Sequence, residues 1–111
     1  QRVKLASFLS KGSAAPSTLF IFDEPTTGLH FYDIEKLVIA FNALIDNGHS
    51  ILVIEHNMEV LKCADYIIDL GPVGGDKGGY ILFEGSPEEL AALEGNSTGF
   101  YLRKKLGLNK L

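Results

Sequence analysis

The chain has 111 residues, of which 46% are hydrophobic and 22% charged, and its formal net charge is −4. This composition is typical of one packed globular domain and excludes a disordered tail. The net negative charge argues against the chain as a whole being a DNA-binding surface. No apolar run reaches the roughly 18 residues of a membrane helix, and the first residues lack a secretory signal, so we expect a soluble, cytoplasmic protein without a membrane partner.

The chain opens with a predicted helix and a loop. Residues 3–9 place Val, Leu, Ala, Phe and Leu where they can form one buried helix face. The stretch Lys11–Ser17 is rich in Gly, Ser, Ala and Pro, which predicts a loop.

An apolar stretch, Thr18–Phe22, predicts a strand that is buried on both faces of a parallel sheet. It is followed by two acids, Asp23 and Glu24, and Pro25 ends the strand. The pair is open to two interpretations. It is either two solvated acids at a strand end, or a Walker B element in which Asp23 helps to hold Mg²⁺ through water and Glu24 polarises the water that attacks the γ-phosphate of ATP. Adjacent strand residues point opposite ways, so the two acids can have different roles.

The segment from Asp33 to Asn47 predicts a helix, because apolar residues recur at spacings of three and four and Gly48 supplies a stop. The apolar face consists of Ile34, Leu37, Val38, Phe41, Leu44 and Ile45. A second apolar strand, Ile51–Ile54, precedes Glu55, His56 and Asn57. His56 is either a hydrogen-bonded loop residue or a donor to a phosphate oxygen, and Glu55 is ambiguous and is not counted as catalytic.

The second half of the chain alternates short elements. Asn57 is a good cap for a helix over 58–64, and strands are predicted at Tyr66–Leu70 and Tyr80–Glu84, with a glycine-rich, hairpin-like connection between them. Ser86, Pro87 and Glu89 form a capping-box pattern at the start of a helix. A last helix over 97–106 carries three consecutive cations at 103–105, which are either a solvated helix end or a phosphate contact.

The order of these motifs resembles the second half of an ABC-type ATPase core. In that family the loop after Asp-Glu-Pro is the D-loop, and the His after the next strand is the switch histidine. The loop Thr26–His30 lacks the Leu-Asp ending that is usual in transporter ATPases. Together with Ala64–Pro72 and Gly74–Gly79, it resembles the UvrA family, the A proteins of the bacterial excinuclease ABC.

The resemblance implies roles for named residues. Glu24 and His56 are the expected catalytic residues, and Asp23 is the expected acid for Mg²⁺, held through water. The D-loop residues expected to contact ATP or link paired sites are Thr27, Gly28, Leu29 and His30. His30 alone is open to a purely structural interpretation as well. The zinc-binding cysteine clusters of the family are absent, since Cys63 is the only cysteine.

The expected fold is α/β: a partial P-loop NTPase core of the ABC ATPase type, with a mostly parallel sheet flanked by helices. Residues 1–111 would form the carboxyl-terminal part of the ATPase domain, without the phosphate loop and its strand. A Gly-x-x-x-x-Gly-Lys-Ser/Thr motif is absent, since Lys77 is followed by Gly78, so we expect this chain alone not to hydrolyse ATP. The missing strand leaves a gap that the neighbouring strands would close directly, or that a strand from another copy would fill.

The resemblance implies that the full-length protein is an ATP hydrolase that recognises DNA damage in nucleotide excision repair. Its expected partners are damaged duplex DNA, the B protein of the excinuclease and a second copy of itself, and its expected cofactors are ATP and Mg²⁺. Two alternatives remain: the ATPase component of an ABC transporter, and an interaction module that does not hydrolyse ATP.

Overall fold

The computed structural model describes residues 16–71 and 79–107, which fall into two compact units divided between His56 and Asn57. The predicted amino-terminal helix lies outside the described residues, as does most of the glycine-rich run that was predicted to join two strands. Each unit is described by itself. No described helix combines the length and the apolar character that crossing a membrane requires.

The first unit is a β-α-β arrangement: β1 spans Leu19–Asp23, α1 spans Phe31–Asp46 and β2 spans Ser50–Ile54. The two strands pair in parallel, with Leu19 opposite Ser50 and Asp23 opposite Ile54. The helix packs on one face of this strand pair. The core between them consists of Phe22, Phe41 and Leu44, packed with Phe20, Leu37, Ala40, Ile51 and Val53. Because β1 and β2 are parallel, their carboxyl ends lie at the same edge of the strand pair.

The prediction that the first strand is buried on both faces is wrong for the described residues. Alternate residues of β1 point to opposite faces, and only the face with Phe20 and Phe22 meets α1. The other face leaves Leu19 and Ile21 about 60% exposed, at 59% and 61%. In β2 the side chains of Leu52 and Ile54 are exposed in the same alternating pattern.

The helix predicted over 33–47 is confirmed, although it begins two residues earlier, at Phe31. It ends where the backbone N–H of Gly48 donates to the carbonyl oxygen of Ile45, and the φ angle of Gly48 is +89°, which favours glycine. The predicted apolar face is correct except at its end, where Ile45 is exposed. After the helix, His49 is buried, and its Nδ1 accepts a hydrogen bond from the backbone N–H of Thr18.

The described residues of the second unit form three helices and a strand pair. Its elements in chain order are α2 (Met58–Leu61), β3 (Ile67–Gly71), β4 (Tyr80–Gly85), α3 (Pro87–Ala91) and α4 (Ser97–Lys105). The two strands are antiparallel, as the predicted hairpin requires, with an irregularity between Asp69 and Leu70. The core consists of Ile67, Leu90, Ala91 and Leu102. The helix predicted over 58–64 is shorter than expected, because it ends at Leu61.

The predicted helix starts in this unit are confirmed. Asn57 accepts a hydrogen bond from the backbone N–H of Glu59 at the start of α2. Ser86 and Glu89 form the reciprocal capping box, in which each side chain accepts from the other residue's backbone N–H. The hydrogen bond from the backbone N–H of Ser86, and after it the interaction with the Ser86 side chain, lower the pKa of the exposed Glu89 carboxyl from its ordinary value.

The described strands form two separate two-stranded sheets, one parallel and one antiparallel. The α/β class is confirmed, but parallel pairing does not predominate among these strands. Of the two expected ways to close the gap left by the missing strand, direct pairing of the strand before His56 with the Ile67 strand is not found among the described strands, each of which pairs within its own sheet. Completion of the sheet by another copy stays a prediction.

Candidate active site

The candidate site lies at the edge where the two parallel strands of the first unit end. Asp23 is the last residue of β1 and pairs with Ile54, the last residue of β2. One residue further, the backbone N–H of Glu24 donates to the carbonyl oxygen of Ile54 at 2.7 Å. The register therefore brings the residues after both strands to one place, where open α/β sheets bind their ligands.

Glu24 leaves the strand in an unusual conformation. Its φ angle is +47°, and it is the only non-glycine residue with positive φ in the described chain. Such a conformation costs on the order of 1–3 kcal/mol and often occurs at functional sites. Its Oε1 lies 3.2 Å from Nδ1 of His56, with side-chain exposures of 51% for Glu24 and 83% for His56. The structure thus brings together the two residues that were predicted to be catalytic, and both are open to solvent.

Asp23 lies on the exposed face of β1, two residues from Ile21. Its carboxylate makes no hydrogen bond or ion pair with any described residue. No group of three acids, histidines or cysteines in residues 16–71 and 79–107 is arranged to hold a metal ion. Mg²⁺ sites that use substrate phosphates need only one or two carboxylates and keep several waters, so Asp23 fits such a role.

The predicted D-loop is built from two successive turns. The backbone N–H of Thr27 donates to the carbonyl oxygen of Glu24 at 3.2 Å, and that of Leu29 donates to the carbonyl oxygen of Thr26 at 3.0 Å. Gly28 occupies the third position of the second turn with a φ angle of +75°, which other residues rarely adopt. Thr27 and Gly28 are exposed and Leu29 is half-buried, and no described hydrogen bond or ion pair joins the side chain of Thr27 or Leu29 to those of Glu24 and His56.

His30 stands at the cap position of α1. Its backbone carbonyl accepts from the N–H groups of Asp33 and Ile34, but its imidazole makes no capping hydrogen bond. The ring is exposed and is not joined to Glu24 or His56 by any described contact. A dimer contact through His30 stays a prediction.

Glu55 is the residue of this site that the sequence reasoning missed. Its side chain is only 1% exposed, and its Oε2 accepts hydrogen bonds from the Thr26 hydroxyl at 2.8 Å and the Thr26 backbone N–H at 3.2 Å. Its Oε1 accepts from the backbone N–H of His56 at 3.2 Å. The available signal was its position: an acid directly after the second strand, at the edge that also holds Glu24.

The three consecutive cations of α4 all have partners within their own unit. Lys105 contacts Glu59 at 2.7 Å, and Arg103 Nε donates to the carbonyl oxygen of Ala91 at 2.8 Å. The Lys104 ammonium lies 4.5 Å from the centre of the Phe100 ring. These contacts favour the interpretation of a helix end that is engaged within the fold.

Comparison with known proteins gives consistent results, although no family model matches the chain. The UvrABC system protein A of Clostridium perfringens is 55% identical over 106 residues, and that of Halalkalibacterium halodurans is 58% identical over 103 residues. These matches cover 96% and 93% of this chain.

The solved structure of UvrA2 from Deinococcus radiodurans matches 95% of the chain with a TM-score of 0.85 and 40% identity. The chain spans only 11% of the two curated relatives and 13% of the UvrA2 chain. The resemblance drawn from the sequence is confirmed: over nearly its whole length the chain is a UvrA-type sequence, and it fits a carboxyl-terminal segment of those proteins.

Proposed function

We propose that this segment supplies the hydrolytic half of an ATP site in a full-length UvrA-type protein. The observation that carries the proposal is the 3.2 Å contact between Glu24 and His56 at the carboxyl edge of two parallel strands. A carboxylate and an imidazole on adjacent strand ends supply a base for water and a donor for phosphate. Both side chains are exposed enough for a nucleotide and water to reach them.

In this proposal Glu24 accepts the proton of the attacking water. The backbone that carries its side chain has a left-handed conformation, and its N–H donates a hydrogen bond to the carbonyl oxygen of Ile54. His56 directs Nδ1 toward Glu24, which leaves Nε2 to donate to a γ-phosphate oxygen when the ring is protonated. The two residues therefore orient each other, and water attack and phosphate contact take place at adjacent positions.

Asp23 would hold Mg²⁺ through the water shell, since its carboxylate is exposed and has no partner among the described residues. Bound Mg²⁺ neutralises charge on the β- and γ-phosphates. Thr27, Gly28 and His30 are exposed and Leu29 is half-buried, and we propose that these four residues meet the paired site of a second copy.

The biological role that we propose is nucleotide excision repair. The relatives are named as the A proteins of UvrABC systems, and this segment makes up about a tenth of their length, 11%. We infer that the full-length protein recognises damaged duplex DNA as a homodimer, loads the B protein of the excinuclease, and couples these steps to ATP hydrolysis.

The segment alone is expected to have no turnover. Its 111 residues contain no Gly-x-x-x-x-Gly-Lys-Ser/Thr motif, so the backbone cradle and lysine that hold the β- and γ-phosphates are lacking. For the isolated chain, an interaction module that does not hydrolyse ATP is therefore the better description.

The test is ATP hydrolysis by a full-length protein that carries these residues, with and without damaged duplex DNA. Glu24→Gln keeps the size of the side chain and removes the base, and Glu35→Gln makes the same change at an exposed site on α1. We expect Glu24→Gln to abolish DNA-dependent turnover and Glu35→Gln to preserve it. Unchanged turnover in Glu24→Gln would show that this edge is not the working site.

A further inference from the structure

We propose that Glu55 is a positioning residue that fixes the loop after β1 to the backbone of His56. The inference rests on the proposed ATP hydrolysis, because it assigns a role within that same site. Glu55 has no direct contact with a nucleotide in this proposal. It acts through Thr26 and through the backbone of its neighbour His56.

The contacts of Glu55 divide between its two oxygens. Oε2 accepts both hydrogen bonds of Thr26, from the hydroxyl at 2.8 Å and from the backbone N–H at 3.2 Å. Oε1 accepts the backbone N–H of His56 at 3.2 Å and lies 4.0 Å from its Nδ1. One side chain therefore holds the first turn of the loop with one oxygen and the residue after β2 with the other.

The burial of this arrangement makes it selective for a carboxylate. The Glu55 side chain is 1% exposed and Thr26 is 8% exposed. A carboxylate is an acceptor at both oxygens, whereas an amide has one oxygen and one NH₂ group. In Glu55→Gln the NH₂ group would face a donor at either end, so a backbone N–H of Thr26 or of His56 would lose its acceptor.

Thr26 connects Glu55 to the D-loop and to Glu24, the residue proposed as the base. Its carbonyl oxygen accepts the N–H of Leu29 and closes the turn that contains Gly28. The preceding turn is closed by a hydrogen bond from the N–H of Thr27 to the carbonyl oxygen of Glu24. The side chain of the same Glu24 lies 3.2 Å from Nδ1 of His56. A shift of Thr26 would therefore move both the D-loop and the base. Misplacement of a reacting group by about 1 Å can cost about 100-fold in rate.

The experiment is a double-mutant cycle in the full-length protein, combining Glu55→Gln with Thr26→Val. Thr26→Val keeps the shape and removes the hydroxyl donor, and Thr26→Ser restores that donor. The measurements are kcat, the Kd for MgATP, and the midpoint of thermal unfolding for each variant. Glu35→Gln on α1 is the matched control for the acid-to-amide change.

We expect Glu55→Gln and Thr26→Val each to lower kcat by about 10- to 100-fold, because the base and the loop are displaced. The Kd for MgATP should stay within about 2-fold, since neither residue contacts the nucleotide, and Thr26→Ser should recover most of kcat. The double variant should be no worse than the more severe single variant, both in kcat and in unfolding midpoint, because residues in direct contact are not additive.

Two results would overturn the inference, and they are distinguishable. The first is that the effects of Glu55→Gln and Thr26→Val on kcat are additive, or that the variants lower the unfolding midpoint with kcat unchanged, while Glu24→Gln is inactive. Glu55 would then have only a structural role, and the proposed function would stand. Wild-type turnover in Glu24→Gln would overturn the proposed function and this inference with it.

Discussion

The Nδ1 atom of His56 lies 3.2 Å from Oε1 of Glu24, although the two residues are far apart in the sequence. They meet because Asp23 and Ile54 are paired in the parallel ladder, and each residue follows its strand end closely. The pairing of the strands thus builds the centre of the site.

Replacing His56 with Ala should lower ATP turnover of the full-length protein with little effect on folding. The loss of one phosphate donor is expected to reduce kcat by about 10²- to 10³-fold. The side chain is 83% exposed, so the free energy of unfolding should change by less than about 0.5 kcal/mol. Steady-state kinetics and thermal unfolding of the same preparation check both statements, and an unaltered kcat would remove His56 from the mechanism.

Replacing Asp23 with Asn should specifically weaken the apparent affinity of the site for Mg²⁺. The exposed carboxylate has no described protein partner, so its loss should leave the fold intact. We expect the Mg²⁺ concentration for half-maximal turnover to rise by about 10- to 100-fold, as is usual for groups that act on a metal through its outer shell. A Mg²⁺ titration at saturating ATP measures this. An unshifted titration would mean that Asp23 does not serve the cation.

Glu59 in the second unit should contribute stability that depends on pH. Its carboxylate contacts Lys105 at 2.7 Å and Lys62 at 2.8 Å, and its side chain is 18% exposed. Hydrogen bonds from Lys105 and then Lys62 lower the pKa of Glu59 from its ordinary value of 4.5. The contribution is therefore fully present above pH 4.5 and is lost as the pH falls through the lower pKa of the folded state.

Glu59→Gln should accordingly destabilise the chain at neutral pH by about 0.5–1 kcal/mol, as is typical of partly exposed ion pairs. The difference from the wild type should disappear in strongly acidic buffer, where both chains carry a neutral side chain at this position. Urea unfolding at the two pH values measures it. A difference that persists in acid would assign the effect to packing instead of charge.

Gly99 should not tolerate a side chain, because α4 packs closely against the carboxyl-terminal end of α3. A Cβ at this buried position would collide with the backbone carbonyl of Leu90. A backbone carbonyl cannot rotate away as a flexible side chain can, so the helices themselves would have to shift. We expect Gly99→Ala to destabilise the chain by about 1–3 kcal/mol, the usual cost of overpacking. Ser97→Ala, at an exposed position of the same helix, is the control for propensity, and equal unfolding midpoints for the two variants would contradict the close packing.

Several elements could be predicted from the sequence because their causes are local. The spacing of apolar residues identified α1, and the pattern of Ser86, Pro87 and Glu89 identified the start of α3. The parallel pairing of β1 with β2 followed from a helix between two strands, so the meeting of Glu24 and His56 could also be expected. These features depend on residues that are close in the chain or joined by one crossover.

Other features depend on which residues cover a surface, and local sequence does not contain that information. Leu19 and Ile21 suit a fully buried strand, yet α1 covers only the opposite face. Likewise, an acid after a strand gives no indication that it is buried. Glu55 is buried because the register places it beside the first turn of the loop, where Thr26 donates to it twice.

The most direct test of the central claim is a single-turnover measurement of γ-phosphate release from MgATP bound to the full-length protein. The wild type, Glu24→Gln and Glu35→Gln would be compared at saturating protein, so that nucleotide binding and ADP release do not limit the rate. We predict that Glu24→Gln binds MgATP with unchanged affinity and releases phosphate about 10²- to 10⁴-fold more slowly, because its base is lost. Equal rates of phosphate release in all three proteins would contradict the account, since Glu24 would then have no part in the chemical step.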